Sequence, residues 1–326
     1  MLETRISGVL TGRSGTIAMI AIAIMATIVS YYLLGADVDL VDSAIFHLPA
    51  SLWSENGIVS LVINMIAGIV IILLISIIEK QYSIVRTMST LYAGIFLLMQ
   101  AALPLVSAQF NNGTLLCIIV LPAIISLLST YHNPQYTQRL YLAFLLLSSG
   151  ALILNEALAY LIVALIIMMQ MQSISLRGFL AAVFGVVTPW WILIGFGIIN
   201  PIDIELPRLS WLHEVPNNAT LIHSLATVGV TMFVGLCLGV ANLIKIYSYN
   251  AQARSYNGAL VVTSLATSLL IIADNGNFLT YTPLLNCLTA IQASHFFVIN
   301  HNRRIYIAIV GFIAIYALLY AWALTL

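Results

Sequence analysis

The sequence predicts an all-α protein, a polytopic transmembrane helix bundle of about 11 helices, on three observations. It is 62% hydrophobic, only 7% of its residues are charged, and apolar runs of membrane-crossing length recur from Gly15 to the last residue. Soluble domains carry about 25% charged residues, so lipid rather than water surrounds most of this surface. No polar stretch between the runs is long enough to fold by itself, and residues 1–326 are read as a single integral membrane domain.

The apolar segments fall at 15–34, 58–78, 88–107, 114–129, 139–154, 157–171, 179–199, 220–244, 258–273, 279–299 and 305–324. At 1.5 Å per residue, those near 20 residues match a hydrocarbon layer of about 30 Å. The segments of 15 or 16 residues are short for a full crossing, and irregular backbone is expected there. Arg5 and Arg13 precede the first run, which is longer than a cleavable signal core and lacks a small-x-small exit, so it is read as an uncleaved span. Pro189 is expected to loosen the seventh helix, because its ring crowds the carbonyl of Gly185 and its nitrogen donates no hydrogen bond.

Charge sets the parity of the crossings. With a break at Asn155-Glu156, Arg5, Arg13, Lys80, Arg86, Arg139, Arg177, Lys245, Arg254, Arg303 and Arg304 fall on one side and only Arg208 on the other. Fusing 139–171 into one helix of about 50 Å spoils that division. The positive-inside rule therefore favours a cytoplasmic N-terminus and an external C-terminus. The carboxylates take the opposite side: Asp37, Asp39, Asp42, Glu55, Glu156, Asp203, Glu205, Glu214 and Asp274 are external, and Glu3 and Glu79 internal.

Two external loops are long enough to build a site. Residues 35–57 carry Asp37, Asp39, Asp42 and His47 and include a candidate interfacial helix interrupted by Pro49. Residues 200–219 form a Pro-rich connector with Pro201, Pro207 and Pro216, and hold Arg208 and His213. Arg208 is the lone external guanidinium, suited either to a phosphate or to pairing with Asp203 or Glu205. The candidate catalytic residues are Asp37, Asp39 and Asp42, and the candidate substrate- or phosphate-binding residues are Arg208, His47, Glu156 and His213. Glu156, His223 and Asp274 lie close enough to an interface to be hydrated, and Gly276 favours a turn role for Asp274.

Several function classes are disfavoured. Net charge is zero with no basic block, so nucleic acid is not a partner. The motifs HExxH, GxSxG and CxxC and a phosphate-loop glycine run are missing. The histidines His47, His132, His213, His223, His295 and His301 divide between the two sides, which excludes one cluster of all six. Cys117, Cys237 and Cys287 lie inside apolar runs and are read as packing residues. No metal site or resident cofactor is expected; a divalent cation enters only with a glycosyl-transfer mechanism.

Two stretches carry a resemblance: INMIAGIVIILLISIIEKQYSIVRTMST at 63–90 and SISLRGFLAAVFGVVTPWWILIGFG at 173–197. Through Asn64, Arg177, Gly185, Thr188, Pro189 and Trp190 they resemble a family of multi-pass inner-membrane proteins from Bacteroidota. Gly178 stands where that family commonly has an acidic residue, which argues against a catalytic acid there. Similarity to membrane glycosyltransferases and polysaccharide polymerases is architectural only. The resemblance implies a bacterial inner-membrane location but no chemistry.

The functional expectation is a protein assisting an envelope or lipid-linked glycan process. Its alternatives are an outer-face polyprenyl-phosphate-dependent glycosyltransferase or polymerase, and a transporter of small molecules or lipids. The expected partners are the lipid bilayer and either a polyprenyl-phosphate lipid or another membrane protein.

Overall fold

The computed structural model describes residues 12–34, 57–82, 90–133, 135–198, 218–247, 250–299 and 305–326. Among them are twelve α-helices: α1 (Arg13–Leu34), α2 (Gly57–Tyr82), α3 (Leu91–Ala101), α4 (Pro104–Ser107), α5 (Asn112–Leu128), α6 (Thr137–Ala151), α7 (Ala159–Gln170), α8 (Leu176–Gly195), α9 (Ala219–Ile246), α10 (Ala251–Ala273), α11 (Phe278–Ile299) and α12 (Ile305–Ala323). Short 3₁₀ turns at Asn155–Leu158 and Asn275–Asn277 lead into α7 and α11. In hydrocarbon every backbone N–H and C=O needs a partner, and a helix supplies them within one segment. Each apolar segment of the sequence accordingly contains a helix.

Six of these helices, α1, α2, α8, α9, α10 and α12, are long and apolar enough to cross a membrane by length and composition. Side-chain caps fix several starts: Asn111 Oδ1 accepts from the Thr114 N–H at 2.9 Å, Ser175 Oγ from the Gly178 N–H at 3.0 Å, and Asn218 Oδ1 from the Thr220 N–H at 3.1 Å. Such caps satisfy amides that the first helical turn leaves open.

The structure departs from the sequence expectation in two places. Segment 88–107, expected as one helix, breaks at Leu103 because Pro104 lacks an N–H and starts the separate turn α4. The ninth segment, expected to be short, extends back to Ala251, since its polar first residues continue the helix behind the Asn250 cap. Around Pro189, α8 continues as a single helix from Leu176 to Gly195.

The break at Asn155-Glu156 is present: α6 and α7 are separate helices, so 139–171 is not one long helix. Contacts at the far ends of these helices bear on the charge argument. Tyr82 Oη donates to the Ile125 carbonyl at 2.7 Å, Tyr82 stacks edge-on against Tyr256, Ser126 Oγ donates to the Arg139 carbonyl at 2.9 Å, and the His132 N–H reaches the Met171 carbonyl at 3.0 Å. They gather Lys80, Arg139, Arg177 and Arg254 at one end of the bundle, while both 3₁₀ turns lie at the other.

α11 is the hub. It packs against α2, α3, α5, α9 and α10, and every residue from 281 to 295 is buried. α1 leans on α3 and α2 mainly on α5, the two scarcely touching one another, and α8 rests mainly on α6. The α6–α8 contact is close enough that a Cβ on Gly185 would stand 2.6 Å from the Tyr141 carbonyl oxygen.

Candidate functional site

The most buried long helix is also conspicuously polar. On α11, Asn286, Thr289, Gln292 and His295 recur at every third position, and each is 0% exposed. Spacing of three on a helix places successive side chains in a slowly rotating stripe. Asn286 Nδ2 donates to Gln100 Oε1 of α3 at 2.8 Å. Thr289 faces α9 so closely that a Cβ on Gly235 would meet its Oγ1 at 2.5 Å. Asn242 Nδ2 of α9 donates at 2.8 Å to both the side-chain and backbone oxygens of Gln292. His295 Nε2 stands 2.6 Å from Glu79 Oε1 of α2.

Each residue of the stripe keeps a polar atom that bonds to no protein group: Asn286 Oδ1, Thr289 Oγ1, Gln292 Nε2 and His295 Nδ1. Such atoms are costly in a low-dielectric interior and are rare in stable proteins without a functional or solvent partner. The four mix acceptors, a hydroxyl and a donor, and as the stripe turns about half-way round the helix they face α3, α9 and α2 in succession. From Asn286 to His295 the stripe rises about 14 Å along the helix.

Carboxylates stand near both ends of α11. At one end, Tyr281 Oη donates to Asp274 Oδ2 at 2.8 Å, and Asn277 Nδ2 approaches both Asp274 oxygens at 3.3 Å. Glu156, on the first 3₁₀ turn, acts electrostatically on the hydroxyls of Tyr281 and Tyr160, and Tyr160 in turn lies 3.1 Å from Thr267 Oγ1. At the other end is the Glu79–His295 pair, with Lys245 over the neighbouring Phe296 ring at 5.8 Å.

A cavity of about 280 Å³ lies between α1, α2 and α3, and Gln100, the partner of Asn286, reaches its edge. Its polar lining is Thr27, whose hydroxyl donates to the Ala23 carbonyl, and Asn64, Gln100, Ser107 and Thr114. Asn64 ties this lining together: its Nδ2 donates to the Val106 and Ser107 carbonyls at 3.0 and 2.9 Å, and its Oδ1 accepts from Thr114 Oγ1 at 3.0 Å. These bonds occupy backbone oxygens at the end of α4, which the four-residue turn leaves without helical partners before α5 begins.

The sequence-predicted site residues divide sharply. Asp37, Asp39, Asp42, His47, Arg208 and His213 lie outside the described residues, as do the interfacial helix of 35–57 and nearly all of the 200–219 connector. Glu156 is described and is 6% exposed, and Asp274 is 3% exposed. Both were expected to be hydrated, but Glu156 lies on a 3₁₀ turn packed against α5, α6 and α7, and Asp274, just before the second turn, is held by Tyr281 and Asn277. His223 is also buried, with Nε2 2.9 Å from the Leu319 carbonyl. Among the described residues no group of three His, Cys, Asp or Glu side chains is placed to hold a metal ion.

The residues behind the family resemblance have structural work. Trp190 Nε1 donates to Ser148 Oγ at 3.0 Å, Ser148 Oγ donates to the Val186 carbonyl at 2.7 Å, and Tyr141 Oη donates to Thr188 Oγ1 at 3.3 Å. Together with Gly185 they join α6 to α8, while Asn64 secures the break before α5.

Sequence reading weighted formal charges and loops, and so passed over Asn286, Thr289 and Gln292. Their signal was nevertheless in the chain: amides and hydroxyls at a fixed spacing of three inside an apolar segment, where polar side chains are expensive.

No family model, curated protein or solved structure matches this chain, so what stands is a multi-pass, all-α membrane protein, with the Bacteroidota resemblance resting on its motif residues alone.

Proposed function

We propose that this protein belongs to the transport class and passes protons along α11, between the Asp274–Glu156 end and the Glu79–His295 end. The carrying observation is the stripe Asn286, Thr289, Gln292 and His295, fully buried and with one unbonded polar atom on every member. In hydrocarbon such groups are retained for a pathway or relay more readily than for stability. A proton arriving at His295 Nδ1 displaces the one shared at Nε2 toward the Glu79 carboxylate, and the imidazole returns to neutrality.

An all-helical set of spans is the construction of an inner, cytoplasmic membrane protein rather than of an outer-membrane barrel. The basic end of the bundle is then the cytoplasmic end, in keeping with eleven crossings and an internal N-terminus. A second reading, assistance to an envelope process, keeps the bilayer as partner through the cavity between α1 and α2, which lipid can enter from the side but whose lining has no charge for a phosphate head. The glycosyl-transfer version, with Asp37, Asp39 or Asp42 as base and Arg208 at the leaving phosphate, rests on residues outside those described.

The test is potential-driven proton entry into vesicles containing purified protein and a trapped pH-sensitive dye. Protein-containing vesicles should acidify faster than protein-free ones, and His295→Phe or Gln292→Leu should remove at least 90% of the added rate. Acidification no faster than in protein-free vesicles rejects the pathway.

A further inference from the structure

The cavity between α1 and α2 has a chemistry of its own. Ile24 and Ile69 line it and are also 38% and 58% exposed, so it opens sideways toward the lipid. Its floor is α3, through Phe96 and Leu97, and its volume of about 280 Å³ lies just below the range of about 300–1,000 Å³ usual for small-molecule pockets. That space accommodates a head group and the first part of a chain, the remainder lying among lipid tails.

The closed end is polar but carries no charge. No Lys, Arg, His, Asp or Glu lines the cavity. Asn64 and Thr114 direct their hydrogen bonds to the α4–α5 junction and to each other, and Gln100 Oε1 accepts from Asn286 Nδ2. Ser107 is different: it lines the cavity, is 2% exposed, and its Oγ bonds to no protein group. A buried hydroxyl left over in a cavity that opens to lipid calls for one hydrogen-bonding partner. A phosphate or carboxylate would meet no opposing charge there and would lose its hydration, whereas a hydroxyl loses little.

We infer that this cavity is a binding site for a single-chain amphiphile with an uncharged hydrogen-bonding head, of the class of long-chain alcohols, the head bonded to Ser107 Oγ and the chain passing out between α1 and α2. The inference goes beyond the proton pathway and does not depend on it, because binding is read at equilibrium without any flux. The site selects against phosphorylated lipids, so a polyprenyl phosphate would not place its charged head here.

A diazirine-bearing dodecanol tests the assignment on the full-length protein in lipid nanodiscs. Photolabelling should concentrate on α1, α2 and α3 and be competed by dodecanol at concentrations at which dodecyl phosphate and dodecane have little effect. Gly68→Phe should fill the cavity and lower labelling at least tenfold, since a Cβ there has only Leu97 near it, at 3.9 Å. Ser107→Ala, a smaller change that spares the fold, should weaken competition by dodecanol about fivefold, the worth of one hydrogen bond. Equal competition by dodecyl phosphate or dodecane, or labelling unchanged in folded Ser107→Ala protein, overturns the site and assigns the labelling to ordinary partition into lipid.

Discussion

His295 Nε2 lies 2.6 Å from Glu79 Oε1, joining the last turns of two helices across 216 positions of sequence. The imidazole is fully buried and the carboxylate side chain only 12% exposed, so each is the other's principal compensation for leaving water. The contact fixes α2 and α11 in parallel at the end of the bundle where the basic residues gather.

Breaking that pair from one side should cost more than removing it entirely. Glu79→Leu leaves the histidine buried with both ring nitrogens unbonded, and a loss of about 3 kcal/mol is expected. The double variant Glu79→Leu with His295→Leu should recover a large part of it. Unfolding of the four proteins in one detergent, analysed as a double-mutant cycle, checks this; additive losses would mean that the pair is not coupled.

The approach of α6 to α8 predicts a sharp contrast between two glycines. Gly185→Val should cost about 1–3 kcal/mol, because the added carbons meet the Tyr141 carbonyl and the Phe144 side chain. Gly311→Ala has nothing within 4 Å of its new Cβ and should be neutral or slightly stabilising. Thermal unfolding of the two variants beside the parent protein measures both; equal behaviour would remove close packing as the reason for Gly185.

The gathering of Lys80, Arg139, Arg177 and Arg254 at one end predicts where labels react. In a protein whose own cysteines are replaced, a cysteine at Gln252 should react with a membrane-impermeant maleimide only after the cells are opened. One at Asn275, on the opposite end, should react in intact cells. The reverse pattern would invert the orientation while leaving the bundle unchanged.

Much of the architecture was readable one segment at a time. A chain in hydrocarbon has to satisfy its backbone locally, so hydropathy alone located the described helices to within a few residues, apart from the earlier start of α10 and the division of 88–107 into α3 and α4. Pro104 was visible too, but the short turn it starts was not: the chain can end that turn at Ser107 because Asn64, some 40 residues earlier, donates to the Val106 and Ser107 carbonyls. The acids on loops attracted attention because charge is easy to see in an apolar sequence. The neutral amides of α11 did not, although they are nearer the centre of the bundle.

The sequence by itself determined that this is a helical membrane protein, where its helices lie, and which of their ends carry positive charge. Only the tertiary structure decided that α11 is the central helix, that Glu79 meets His295, and that α1 and α2 leave a cavity over α3. The reason is the solvent. In water the apolar face of a helix announces which side is buried, but lipid tails are as apolar as a neighbouring helix, so lipid-facing and protein-facing sides read alike. Which faces meet is settled by small residues such as Gly185 and by hydrogen bonds such as Asn286 to Gln100, whose partners are distant in sequence and adjacent only once the bundle has formed.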